Sequence, residues 1–228
     1  MNQPSGLIAR LRGDWLFPAG KSPVFYGWII AGISTLGFLF SVPGQTIGMA
    51  VFADAFIEVT GLSRTELSLA NMLGTIASAF FLTRAGRLFD AYGARIVLIL
   101  AAMILGASIL FLSVVNRTSE YLAILVGIDS SVIAFLLMVA SYFGVRFSGQ
   151  GVMTSASRNV LLLWFEQRRD LVSGVRGVFV SLGFSLAPLL FAMLIDQWHW
   201  RVALWWLALI VGPVFALLFI VLVRDRPE

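Results

Sequence analysis

IVLILAAMILGASILFLSVV, residues 96–115, is a run of twenty residues without one charged side chain. At 1.5 Å per residue, a helix of that length is about 30 Å long, the thickness of a bilayer's hydrocarbon core. A β-barrel strand is the other structure that lipid tolerates, but the run does not alternate apolar and polar positions. Further apolar runs occupy roughly 24–50, 66–83, 121–145, 147–165, 175–195 and 202–223. The composition agrees, with 59% of the 228 residues hydrophobic and only 12% charged, whereas soluble domains average about 25% charged. The expected fold class is therefore all-α, a polytopic bundle of transmembrane helices.

Composition also excludes several chemistries. With no cysteine, disulfides, iron–sulfur clusters and thiolate metal sites are ruled out. His199 is the one histidine, too few for a His-based metal or nucleophile constellation. No cofactor is expected. The net charge of +4 does not gather on one basic face, so nucleic acid is not an expected partner. The cations fall in short clusters between apolar runs, which is how membrane proteins encode orientation. With the N-terminus inside and six crossings, Arg10, Arg12, Lys21, Arg84, Arg87, Arg95, Arg168, Arg169, Arg176, Arg224 and Arg226 are inside. Only Arg64, Arg117 and Arg201 are outside, and Arg146 and Arg158 are embedded. Both termini are then cytoplasmic. Residues 1–23 read as a retained cytoplasmic tail, 24–223 as the six-helix bundle, and 224–228 as the start of a cytoplasmic linker. The expected location is a bacterial inner membrane, with the lipid bilayer as a partner.

The charge count requires an odd number of crossings between Arg117 and Phe165, yet that stretch holds two apolar runs. Span four is expected to start near Ser141. Residues 119–139 are left as an extra segment: re-entrant, interfacial or an extension of a neighbouring helix.

Between the second and third spans lies Gly86-Arg87-Leu88-Phe89-Asp90-Ala91-Tyr92-Gly93-Ala94-Arg95. Its glycines permit a tight turn and its aspartate can cap a helix. On local grounds it reads equally well as an ordinary basic loop. The order G-x-x-x-D-x-x-G-x-R after a second span resembles the signature loop of the major facilitator superfamily of transporters. Tyr26-Gly27-Trp28, Gly61-Leu62-Ser63-Arg64, Trp164 to Arg169, Gly174, Gly183 and Trp200-Arg201 extend the likeness over about 24–226. Together they are similar to the N-terminal half in the branch of monocarboxylate and oxalate/formate carriers. The resemblance implies six spans built as two inverted three-helix repeats. It also implies a conformational latch carried by Gly86, Asp90, Gly93 and Arg95, and a second six-helix half, or a second copy of the chain, as a partner. Ala91 and Ala94 stand where the family usually has basic residues.

Span four carries a polar stripe of Arg146, Gln150, Thr154, Ser157 and Arg158, at steps of three and four that share one broad helix face. A charge in mid-membrane costs several kcal/mol unless it faces water or a partner. Arg146 and Arg158 are roughly 18 Å apart along the axis. Each would either snorkel to its own interface or, facing a cavity, hold a substrate carboxylate in its guanidinium fork. Arg158, about two turns before Trp164, reads as the deeper of the two from the inside. Asn71 and Gln45 are further candidate cavity residues, or simple interhelical bridges. Pro43-Gly44 predicts a kink in span one. Asp129, a carboxylate within an apolar run, is a candidate proton relay. His199, between Trp198 and Trp200, reads as part of an interfacial aromatic belt.

These residues favour secondary transport of a small organic anion, a monocarboxylate or dicarboxylate, with or without protons, by alternating access. The candidate substrate contacts are Arg158, Arg146, Gln150, Thr154, Asn71 and Gln45. The alternative is a non-transporting membrane scaffold or assembly partner. A membrane enzyme is not expected, because the sequence has no HExxH, no Gly-x-Ser-x-Gly and no carboxylate pair within a span.

Overall fold

A computed structural model of the chain describes residues 26–165 and 168–223. The tail expected at 1–23 and the linker expected at 224–228 lie outside the described residues. Six helical segments among those described are long and apolar enough to cross a membrane: Gly27–Gly44, Arg64–Tyr92, Ala94–Val126, Ser130–Trp164, Arg169–Trp198 and Trp200–Leu222. No strand occurs among the described residues, and the expected all-α bundle is what the chain forms.

Span one is α1 (Gly27–Leu39), which gives way to a tight 3-10 turn at Val42–Gly44. Pro43 removes a backbone donor there, and Gln45 follows in extended geometry (φ −92°, ψ 160°). The helix breaks at this point instead of merely kinking, and continues as α2 (Thr46–Ala50) and α3 (Ala53–Thr60). Span two is α4 (Arg64–Tyr92). Its start is fixed by a capping box, in which Ser63 Oγ accepts from Glu66 N (3.2 Å) while the Glu66 carboxylate accepts from Ser63 N (2.7 Å).

The segment 119–139 is shared between two spans. Helix α5 (Ala94–Val126) is span three and runs unbroken for 33 residues, about 50 Å. The hydroxyls of Ser113, Thr118 and Ser119 bond back to carbonyls of their own helix, so these polar residues do not interrupt it. Gly127, with φ 72°, ends it in the left-handed conformation that glycine adopts without steric penalty. Asp129 then caps the next helix, its Oδ1 accepting from Ser131 N (2.8 Å) and Ser131 Oγ (2.7 Å). Of the three readings of the extra segment, the extension of neighbouring helices is the one that holds. Span four begins at Ser130, not near Ser141. Its crossing number stays odd because the first apolar run is divided between the ends of two helices. Asp129 sits exposed in the turn as a cap. The two serine hydrogen bonds, the side-chain one first, hold its carboxyl below the ordinary range.

Span four comprises α6 (Ser130–Val145), a π-helical segment (Arg146–Met153) and α7 (Thr154–Trp164). Span five is α8 (Arg169–Trp198). Span six comprises α9 (Trp200–Leu209), a π-helical turn (Ile210–Val214) around Pro213 and α10 (Phe215–Leu222). Span three is the centre of the bundle: Leu98, Leu105, Ile109 and Leu112 are fully buried along one face. Lipid tails are as apolar as leucine, so burial alone does not drive helix association here; close packing and interhelical hydrogen bonds do. Spans three and six meet where Gly106 and Gly212 bring their backbones together. Away from the termini, Arg201 donates to Ser113 O (3.3 Å) and Asn116 Oδ1 (3.2 Å), and Trp205 Nε1 to Ser113 Oγ (3.0 Å). The outer flanks are spans two and five. Span five buries few side chains, among them Val172, Ala187 and Phe191.

Candidate anion site on span four

With span four running from Ser130 to Trp164, Arg146 falls at its middle and Arg158 lies six residues from its end. Arg146, not Arg158, is therefore the deeper cation. It does not snorkel, since the residue is 2% exposed and neutral acceptors surround its guanidinium. Nε and Nη2 donate to Asn71 Oδ1 (3.1 and 2.8 Å), and Nη1 donates to Gln150 Oε1 (2.9 Å) and more distantly to Gly44 O (3.4 Å). Among the described residues no carboxylate pairs with it. One side chain thus ties span four to span two and to the break in span one, and keeps its full charge unneutralised at mid-depth.

This contact depends on the backbone around it. A Cβ on Gly44 would stand 2.6 Å from Gly149 Cα and 2.8 Å from Val145 O, so spans one and four touch through bare backbone. The π-helical turns at Arg146–Met153 widen span four at the same level. Such turns shift the side chains that follow around the helix and are frequent at functional sites.

The other expected contacts divide. Asn71, Arg146 and Gln150 come together. Thr154 turns its hydroxyl onto its own helix, at Gln150 O and Gly151 O. Gln45 reaches Ser41 Oγ at 3.4 Å and is not hydrogen-bonded to the arginine cluster. Arg158 is exposed and makes no hydrogen bond or ion pair among the described residues. Beside it the backbone carbonyl of buried Ser157 accepts from Ser34 Oγ (2.5 Å), which docks α7 on α1.

One residue was misplaced by reading the sequence. Arg176, counted there with the inside loops, lies two turns into α8 with its guanidinium 4.4 Å over the Phe38 ring. Its Nε and Nη1 are buried without an acceptor among the described residues. No local pattern distinguishes it from the neighbouring Arg168 and Arg169, because its partner is on span one.

In the loop between spans two and three, Gly86 and Asp90 are exposed in the last turns of α4, and Gly93 makes the turn with φ 87°. No side chain caps α5 there. Arg95 points inward, 5% exposed, and its Nε donates to Val223 O at 2.6 Å. A cation on the last carbonyls of a helix both satisfies them and opposes the helix dipole, so Arg95 closes the end of span six. Tyr26 helps by donating from its hydroxyl to Leu222 O (2.9 Å).

The sequence matches the Major Facilitator Superfamily over residues 33–228. The chain belongs to this superfamily. It is 24% identical over 214 residues to a hexuronate transporter of Bacillus subtilis (strain 168), a match that takes in 93% of this chain and 44% of that protein. The chain therefore spans rather less than half the length of this curated relative. No solved structure matches it significantly.

Proposed function

We propose that this major facilitator chain works as one six-helix half of a secondary carrier that moves a small organic anion by alternating access. The observation that carries the reading is the pair of cations on span four in different states. Arg146 is braced at mid-depth by Asn71 and Gln150, while Arg158, on the same span, has no hydrogen-bond or ion-pair partner among the described residues. In such an arrangement Arg158 meets the carboxylate, and Arg146 supplies a fixed positive potential behind it. Electrostatic attraction of this kind needs no acidic residue nearby, and none pairs with either arginine among the described residues.

A second half, or a second copy of the chain, completes the cavity. The short match to the relative and the sparse burial of span five both support this. On this reading the two bodies rock about the site between them, and Gly86 and Asp90 remain exposed to latch against the partner body. The positive charge at the end carrying the termini makes that end cytoplasmic, in a bacterial inner membrane. The substrate class agrees with the name of the hexuronate transporter it resembles, because a hexuronate is itself a carboxylate. The narrower assignment to the monocarboxylate and oxalate/formate branch rests on the sequence motifs alone.

The test is uptake of labelled oxalate, formate, lactate, pyruvate, glucuronate and phenylacetate by liposomes containing the purified full chain, with Arg158→Ala and Arg146→Ala beside it. Saturable uptake that Arg158→Ala abolishes, while the helical fold is kept, is the expected result. Uptake unchanged in Arg158→Ala removes that arginine from the site. Absence of uptake for every acid, from a folded protein, rejects transport by the chain without a separate second half.

A further inference from the structure

A groove opens between α1 and α8, with a cavity volume of about 390 Å³. Trp28, Leu36 and Leu39 on one side face Val172 and Phe179 on the other. The hydroxyl of Thr35, which also lines it, is already bonded to Ala31 O (2.7 Å). Arg176 is the charged group on the lining. Its Nε and Nη1 have no acceptor among the described residues although both atoms are buried. The Phe38 ring beneath it offsets part of the cost of burial, because a ring face attracts a cation. A ring face does not satisfy an N–H donor. No carboxylate pairs with Arg176 among the described residues. A guanidinium with unfilled donors, at the edge of an apolar groove, describes a site complementary to an anion.

We infer that this groove binds the carboxylate of an organic acid with an apolar body, the carboxylate held by Arg176 and the body lying along Trp28, Leu36 and Phe179. The inference deepens the carrier reading, on which it rests, by choosing among acids. A sugar acid would set its hydroxyls against walls that offer them no free partner, and unpaired buried polar groups are strongly selected against. A short dicarboxylate would press its second charge on the same apolar walls. Since an apolar cavity of about 150 Å³ accepts benzene, the groove has room for a phenyl ring and its carboxylate.

The experiment is saturation binding of radiolabelled phenylacetate to the full chain in lipid nanodiscs, with unlabelled acetate and glucuronate as competitors and empty nanodiscs as background. Phenylacetate should bind saturably and outcompete acetate and glucuronate by about tenfold or more, as expected for a buried ring. Arg176→Gln should weaken binding by about tenfold or more, and Arg176→Lys by less, with helical content unchanged in both. Phe179→Ala should narrow the preference for phenylacetate over acetate while leaving acetate binding in place. Acetate or glucuronate competing as well as phenylacetate overturns the inference, as does full binding in Arg176→Gln or no saturable binding. The two readings fail separately. Arg176-dependent binding without any uptake removes only transport by this chain, whereas uptake with Arg176-independent binding removes only the groove.

Discussion

Replacing Asn71 with leucine removes the carbonyl that holds two of the three nitrogens of Arg146 and leaves the shape of the side chain nearly unchanged. Both lost bonds are charge-assisted and short, at 2.8 and 3.1 Å. In water-soluble proteins such bonds are worth about 1.5–3 kcal/mol each, while hydrogen bonds between membrane helices average about 0.6 and reach about 1.7 kcal/mol. The upper membrane value is the appropriate one, because the donor is charged and the residue is 2% exposed. Asn71→Leu should therefore cost about 3 kcal/mol. Most of that is the penalty of a stranded charge, so it should vanish when the charge goes too. In an Arg146→Met background, Asn71→Leu should cost under about 1 kcal/mol, a coupling of about 2 kcal/mol between the sites. The assay is reversible unfolding in mixed micelles of mild detergent and dodecyl sulfate, followed by far-ultraviolet circular dichroism, for the wild type, both single variants and the double variant. Additive single effects, within about 0.5 kcal/mol, would show that the two side chains do not depend on one another, and the account of Arg146 as a braced cation would be abandoned.

Gly44→Ala should destabilise by about 1–3 kcal/mol in the same assay, because its Cβ meets backbone of span four that cannot swing aside; Gly32→Ala, with nothing within 4 Å, serves as the neutral control. His199 has φ 68° and ψ 145°, a region suited to glycine, so His199→Gly should stabilise by about 1 kcal/mol and His199→Val should destabilise, read from thermal melts of the purified chain. The Asp129 cap should be sensitive to acid in one direction. Its folded pKa lies below its unfolded value, so its contribution is present above the ordinary carboxylate range and is lost as pH falls through the folded pKa. Hydrogen exchange at the Ser131 amide should accelerate, relative to Asp129→Asn, only on that acid side; equal pH profiles for the two proteins would rule the cap out.

How much was legible follows from where each signal resides. Helix number came through because an apolar run of about twenty residues has few structures open to it in lipid. The loop from Gly86 to Arg95 was readable because turn chemistry and its glycine are local. The boundary of span four was not, because charges and hydroxyls at 116–120 look like a loop when the only criterion is hydropathy. In the folded helix those hydroxyls bond backward and α5 continues to Gly127. Misjudging that boundary by about three turns also exchanged the depths of Arg146 and Arg158.

The sequence by itself determined the solvent, the helical class, the six crossings and the superfamily, since all of these are written in runs and motifs whose meaning is local. Only the tertiary structure decided which arginine is braced and which is open. Asn71 and Gly44 reach Arg146 across 75 and 102 residues of chain, and Phe38 meets Arg176 between different spans. A guanidinium carries the same charge wherever it stands, and what it can bind is set by the acceptors that folding brings to it or leaves away.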